Sequence, residues 1–317
     1  MGSYLLFAPS TSKLCVAMPI VLQRDFTSHP DLMKRLIYSK YLLNRARLLQ
    51  QEGNELACAE AILTAHDSVE MLIRVIAEFV NAKQSERFME QLRLIEKETG
   101  KEPPCMAAMD RLNHLRVSFK HKGNLPHPAN VAELMPSVTD FCPAVTSQYL
   151  GLDYETVSLA ELIQNAEARA KVKEAEAAKT ADKIRDAICA LRMAFDILHD
   201  EAREKCKSIL IGGVDAPGFE FLPRVGKAIS SLAKIFKLEA LTLAVHQLVE
   251  TVNGMLLGIE PAKFRRFSEI TPFPSYRGFQ RNVEYLWRPK RPELRPEDFD
   301  FCHEFVIDFA LRLVSSR

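Results

Sequence analysis

At 317 residues the chain is long enough for two ordinary domains, and its 47% apolar residues suffice for a sizeable core. A formal net charge of +1 excludes a polycation, so any contact with nucleic acid must come from local patches. No apolar run reaches the length of a membrane span, no basic segment precedes an apolar one at the N-terminus, and the seven scattered cysteines form no C-x-x-C pair; a cytoplasmic chain with reduced thiols is expected.

Residues 1–27, with Pro9, Ser10, Thr11 and Ser12, read as a flexible tail. Ser28 to Asp31 is a helix entrance with Pro30 in the first turn, and Leu32, Leu36 and Leu43 then keep helical spacing up to Gly53. The other positions carry Lys34, Arg35, Lys40, Arg45 and Arg47, which read as a solvated face or as one edge of an RNA-binding groove. Asn54 to about Asn81 predicts a long second helix rich in Ala, Leu, Ile and Val, and Gln84 to about Glu98 a third, charged amphipathic one. Gly100 and Pro103-Pro104 break the chain before a fourth helix begins near Cys105.

The stretch Arg111 to Pro128, RLNHLRVSFKHKGNLPHP, ends that helix abruptly. Leu112, Leu115 and Phe119 form an apolar stripe, Gly123 and Asn124 tolerate left-handed backbone, and Pro126 cannot continue a helix. Arg116, Lys120 and His121 are thereby placed in the last turns, where the helix dipole favours cations. Beyond it, Pro128 to about Leu150 is helical in pattern but must be shortened or kinked by Pro136 and Pro143. These segments predict an up-and-down bundle over residues 28–150.

Arg116 and His121, with four residues between them and Lys122-Gly123 behind, resemble the R-x4-6-H motif of the HEPN superfamily, all-helical domains found in many RNases of bacterial defence and toxin systems. The phrase LRVSFKHKG is similar to the "LRN…H-x-G" form of that motif, and AHDSVEMLIRVIAE resembles the second bundle helix of such proteins, where a glutamate often faces the motif; Glu70 is the candidate. Glu70 is also four residues from Arg74 and can pair with it instead. Two other pairs satisfy the bare pattern: Arg24 with His29, at a helix entrance, and Arg192 with His199, inside a long helical run with no stop signal.

Ser158-Leu-Ala-Glu161 reads as a capping box opening a helix, and the Ala/Glu/Lys run after it as a solvated helical connector over residues 151–183. Residues 184–317 then predict a second helical domain, closed by a helix from Glu297 to Val314 with Phe301, Phe305, Phe309 and Leu313 on one face. No strand-like alternation persists, so the expected fold class is all-α, a HEPN-like bundle followed by that second domain.

Within residues 261–295, Arg265, Arg266, Arg277, Arg281, Arg288 and Arg291 interleave with Phe264, Phe267, Phe273, Tyr276, Phe279, Tyr285 and Trp287. Guanidinium and aromatic planes stack on unpaired bases while the charge engages phosphate, which makes these arginines candidate RNA-binding residues; the competing reading has the aromatics plugging a helical core. A metal site from His114, His121, Cys105 and His127 would need those ligands to converge, and no cofactor or metal is expected.

What the resemblance implies is a metal-independent endoribonuclease in antiphage defence or growth arrest, with RNA as partner, a homodimer placing two motifs side by side, and a protein partner within a defence system. His121 would move the proton at the 2′-hydroxyl or leaving oxygen, Arg116 would hold phosphate, Lys120 would assist and Glu70 would orient the arginine. The residue after the motif arginine is usually Asn, Asp or His and is Val117 here, which fits a second reading, a catalytically silent interaction or sensor module.

Overall fold

The computed structural model describes residues 25–211, 251–252, 255, 257–276, 283–287 and 293–315. The chain is all-α. Helices α1 (Pro30–Gln51) and α2 (Glu55–Phe79) form an antiparallel hairpin, joined through Asn54, whose side chain accepts the Ala57 N–H at 2.8 Å. Ser39 and Ser68 are fully buried between them: each hydroxyl donates to the other's backbone carbonyl, at 2.9 and 2.7 Å, so neither hydroxyl is left unsatisfied.

Helix α2 is the centre of the N-terminal bundle. Ile62, Ala65, Val69, Leu72 and Ile76 recur at three- and four-residue steps and are buried, and the helix packs against α1, α3 (Phe88–Thr99), α4 (Met106–Lys122) and α5 (Pro128–Val145). Gly100 caps α3 at φ 68° and Gly123 caps α4 at φ 71°, its N–H reaching the Phe119 and Ser118 carbonyls, so the stop after the motif falls where glycine permits it. Helix α5 runs through Pro136 and Pro143 without being cut short; a wider π turn, Thr146–Leu150, follows. Of the apolar stripe on α4, Leu112 is fully buried, Leu115 packs half-buried against the core, and Phe119 is half-exposed.

Three expectations about the segments before Ile184 are corrected. Phe26 does not belong to a tail: Asp25 caps a 3-10 turn, Phe26–Ser28, and the Phe26 ring, 2% exposed, meets Phe79 edge-on at 5.3 Å. The rest of the expected tail, residues 1–24, lies outside the described residues. Ser158 opens only a 3-10 turn, Leu159–Leu162, because its hydroxyl takes the Ala160 N–H and Ile163 is extended; α6 (Ala166–Thr180) starts after a separate cap at Asn165. Nor is α6 a solvated rod. Ala168, Val172 and Ala175, at steps of four and three, are buried where α6 packs on α7 (Ile184–Ile211).

Helices α8 (Pro261–Ile270) and α9 (Pro296–Ser315) complete the described helices. An aromatic cluster ties them to α7: Phe195 lies 5.0 Å from Phe267, 5.0 Å from Phe309 and 5.8 Å from both Phe264 and Phe305, and Phe267 stacks on Phe305 at 4.3 Å. Between α8 and α9 the chain forms a short antiparallel hairpin, β1 (Phe273–Tyr276) with β2 (Val283–Leu286), paired Phe273 to Leu286 and Tyr276 to Val283. No strand was expected; each is only four residues long and one carries Pro274, too little for alternation to register. The buried side chains form one continuous cluster from Phe26 to Leu313, and among the described residues no helix is long and apolar enough to cross a membrane.

Candidate functional site

Helix geometry decides what the end of α4 can do. Positions five apart are rotated by about 140° about the axis, so Arg116 and His121 leave α4 on different sides. Arg116 is half-buried and lines a cavity of about 790 Å³ between α2, α3 and α4; Lys120 and His121 are exposed and lie outside its walls. Glu70 of α2 lines the same cavity as Arg116, whereas His121 does not. Glu70 pairs along its own helix, its Oε1 accepting from Arg74 Nη2 at 2.7 Å.

His66, which no sequence motif marks, is the histidine in this cavity. It is 2% exposed and its ring lies on Phe88 at 4.4 Å. Nδ1 is 3.7 Å from Glu70 Oε2 and 4.0 Å from Asp67 Oδ1, beyond hydrogen-bond reach; Asn113 comes close enough to the ring to raise its pKa, but neither ring nitrogen makes a hydrogen bond of full geometry. Burial above all, then the Arg116 charge, pushes its pKa down, against the pull of Glu70, Asn113 and Asp67, so the ring is neutral at neutral pH. Its register is what hides it: His66 sits on the stripe of Ala59, Ile62, Val69 and Ile73, where a histidine reads as core.

The rim of the cavity carries Glu86, Arg87, Glu90 and Arg93 from the start of α3. With Glu70 and Arg116 the lining alternates in sign, which suits one anionic group held at Arg116 better than a long polyanion lying across.

The other candidates are dispersed. Arg265 and Arg266 are exposed on α8, and the Arg266 guanidinium lies 4.1 Å over the Phe301 ring. Phe264 and Phe267 plug the core, Tyr285 donates to Asp196 at 2.9 Å, and Trp287 lies under Arg185 at 4.9 Å. Arg277, Arg281, Arg288 and Arg291 lie outside the described residues. His29 caps the entrance to α1, and Arg192 and His199 are buried within α7, so neither pair forms a surface site; Arg24 lies outside the described residues. His114 contacts its own helix at Asp110 and His127 caps α5.

The basic residues of α1 are not simply a solvated face. Lys40 donates to the Tyr154 carbonyl at 2.8 Å, and desolvation lowers its pKa against Glu155, Glu176 and Asp153. It opens a second cavity, of about 520 Å³, where Ser158 donates to Glu176 at 2.6 Å and His303 lies 3.0 Å from the other Glu176 oxygen. Burial raises the Glu176 pKa, but His303, Ser158 and Lys40 together outweigh it and hold the carboxylate ionised.

No protein-family model, curated protein or solved structure matches this chain.

Proposed function

We propose that the protein is a metal-independent endoribonuclease of HEPN type, on the observation that Arg116 and Glu70, distant in sequence, line one cavity beside the end of α4. Arg116 holds the scissile phosphate and offsets the charge that gathers on its oxygens. The RNA supplies its own nucleophile: the 2′-oxygen bonds to phosphorus, the bond to the 5′-oxygen breaks, and the two protons concerned pass through a general base and a general acid. His121, exposed on the far side of α4 from Arg116, serves this chemistry where RNA wraps the helix end or where a second copy brings its own motif alongside. Bacterial defence or growth arrest is the setting that goes with the motif, with a cytoplasmic location.

The test is incubation of the full chain with end-labelled single-stranded RNA in EDTA. Cleavage leaving a 2′,3′-cyclic phosphate, lost in Arg116→Ala, supports the enzyme. The second reading, a catalytically silent helical module that binds a protein or RNA partner, is favoured by the divergence of Arg116 and His121 and by the pairing of Glu70 with Arg74. No cleavage of any RNA tested, with partner binding retained, would establish that reading instead.

A further inference from the structure

We propose that His66, Asp67 and Glu70 of α2 form a site for one divalent first-row cation, of the Mn²⁺ or Zn²⁺ kind, at the edge of the Arg116 cavity. This does not rest on the ribonuclease reading: His66 and Asp67 have no part in the proposed cleavage, and Glu70 enters that reading only through the cavity it shares with Arg116.

Three observations carry it. The first is convergence: one ligand atom from each of the three residues lies within 4.8 Å of the other two. Ligand bonds to such ions are about 2.0–2.2 Å, so neighbouring ligand atoms on a tetrahedral ion stand about 3.4 Å apart. His66 Nδ1 lies 3.7 Å from Glu70 Oε2 and 4.0 Å from Asp67 Oδ1, too long for hydrogen bonds and slightly wider than that spacing, a gap that a small rotation of the exposed Asp67 side chain closes.

The second is His66 itself. Its nitrogens are shielded from water and make no hydrogen bond of full geometry, even to Asn113, a condition native structures seldom leave unanswered, and Nδ1 is the ring atom nearest both carboxylates.

The third is the division of labour at Glu70. Arg74 holds Oε1 at 2.7 Å and leaves Oε2 toward His66. Metal-binding carboxylates are commonly oriented in this way, with one oxygen fixed by a neighbouring donor while the other points at the ion. Asp67, 66% exposed, swings in without repacking the core. The Arg74 and Arg116 charges oppose an added cation, so the site takes up an anion with it; a phosphate oxygen on the open positions would lie within reach of Arg116.

The experiment uses the full chain stripped with chelator and titrated with Mn²⁺, with free Mn²⁺ counted by its EPR signal, a readout that needs no RNA. One equivalent should bind, and Zn²⁺ should displace it. Asp67→Asn and Glu70→Gln should each weaken binding by at least the ~10–100-fold that losing a group which merely orients a ligand costs. His66→Ala should abolish it. Because His66 is buried, the decisive variant is Asp67→Asn, whose exposed position leaves folding intact. Uptake absent into the millimolar range, or unchanged in both carboxylate variants, overturns the site. RNA cleavage in EDTA is measured separately, so failure of either reading leaves the other standing.

Discussion

His66 Nδ1 stands 3.7 Å from Glu70 Oε2, one turn along α2, with the other Glu70 oxygen held at 2.7 Å by Arg74. Glu70 therefore faces Arg74 and a buried ring at once, while Arg116 lines the same cavity from the facing helix. The two proposals above would give one cavity two roles, an anion at Arg116 and a cation among the α2 side chains.

The aromatic cluster at the α7–α8–α9 junction should dominate stability there. Phe267 is fully buried, 4.3 Å from Phe305 and 5.0 Å from Phe195, so Phe267→Ala removes a ring with no means of refilling the space. The expected cost is about 3–5 kcal/mol, read as a fall in the urea midpoint with the slope unchanged. A loss well under that range would mean the cluster collapses around the gap.

Glu304 gives a pH signature. Burial raises its pKa to about 7 from an ordinary 4.5, with Asp308 and Asp300 adding to the rise and Arg45 and Lys263 opposing it; its Oε2 has no hydrogen-bond partner. Below the unfolded value both states hold the proton. As pH rises toward 7 the unfolded chain gives its proton up while the folded one keeps it, so stability falls across that window and stays lower above it. Glu304→Gln should remove this loss, on the order of 1–3 kcal/mol. Thermal melts at pH 5 and pH 8 check it: the variant should gain over the parent only at the higher pH, and equal gains at both would assign the effect to packing.

The helical class was legible because its carriers are local. Leu32, Leu36 and Leu43 fix one face of α1, and Gly100 and Gly123 fix two helix ends through positive φ. The burial of α6 was not, since Ala168, Val172 and Ala175 make a stripe of small residues whose worth depends on how closely α7 approaches. At the site, the motif and the helix expected beside it singled out Arg116 and Glu70, which line one cavity. His66 could not, because a histidine on an apolar stripe has no local mark separating ligand from core. Pairs such as Glu176 with His303, far apart in sequence, are set by the fold alone.

Arg265 offers the clean test of the basic segment. It is exposed on α8, whereas Arg266 lies on the Phe301 ring and its loss would disturb packing as well as charge. If Arg265 contacts phosphate, Arg265→Ala should lower the slope of log affinity against log salt by about 0.7 for single-stranded RNA. An unchanged slope would leave Arg265 an ordinary surface residue.

His121 decides between enzyme and silent module. It is exposed in the last turn of α4, ahead of the Gly123 cap, so His121→Ala deletes no core volume and should change the unfolding free energy by no more than about 0.5 kcal/mol. Loss of a proton-transfer group should slow RNA cleavage by about a hundredfold or more. Arg116→Ala should be as inactive and should also bind RNA more weakly, because Arg116 lines the cavity proposed to take the phosphate. Mixing the two variants adds a further check: if one chain supplies Arg116 and another His121, the mixture of two dead variants should recover part of the activity. A His121→Ala protein that folds and cleaves at the parent rate would show that the motif spacing is coincidental. Activity would then have to be sought at His66, the histidine that shares the cavity with Arg116.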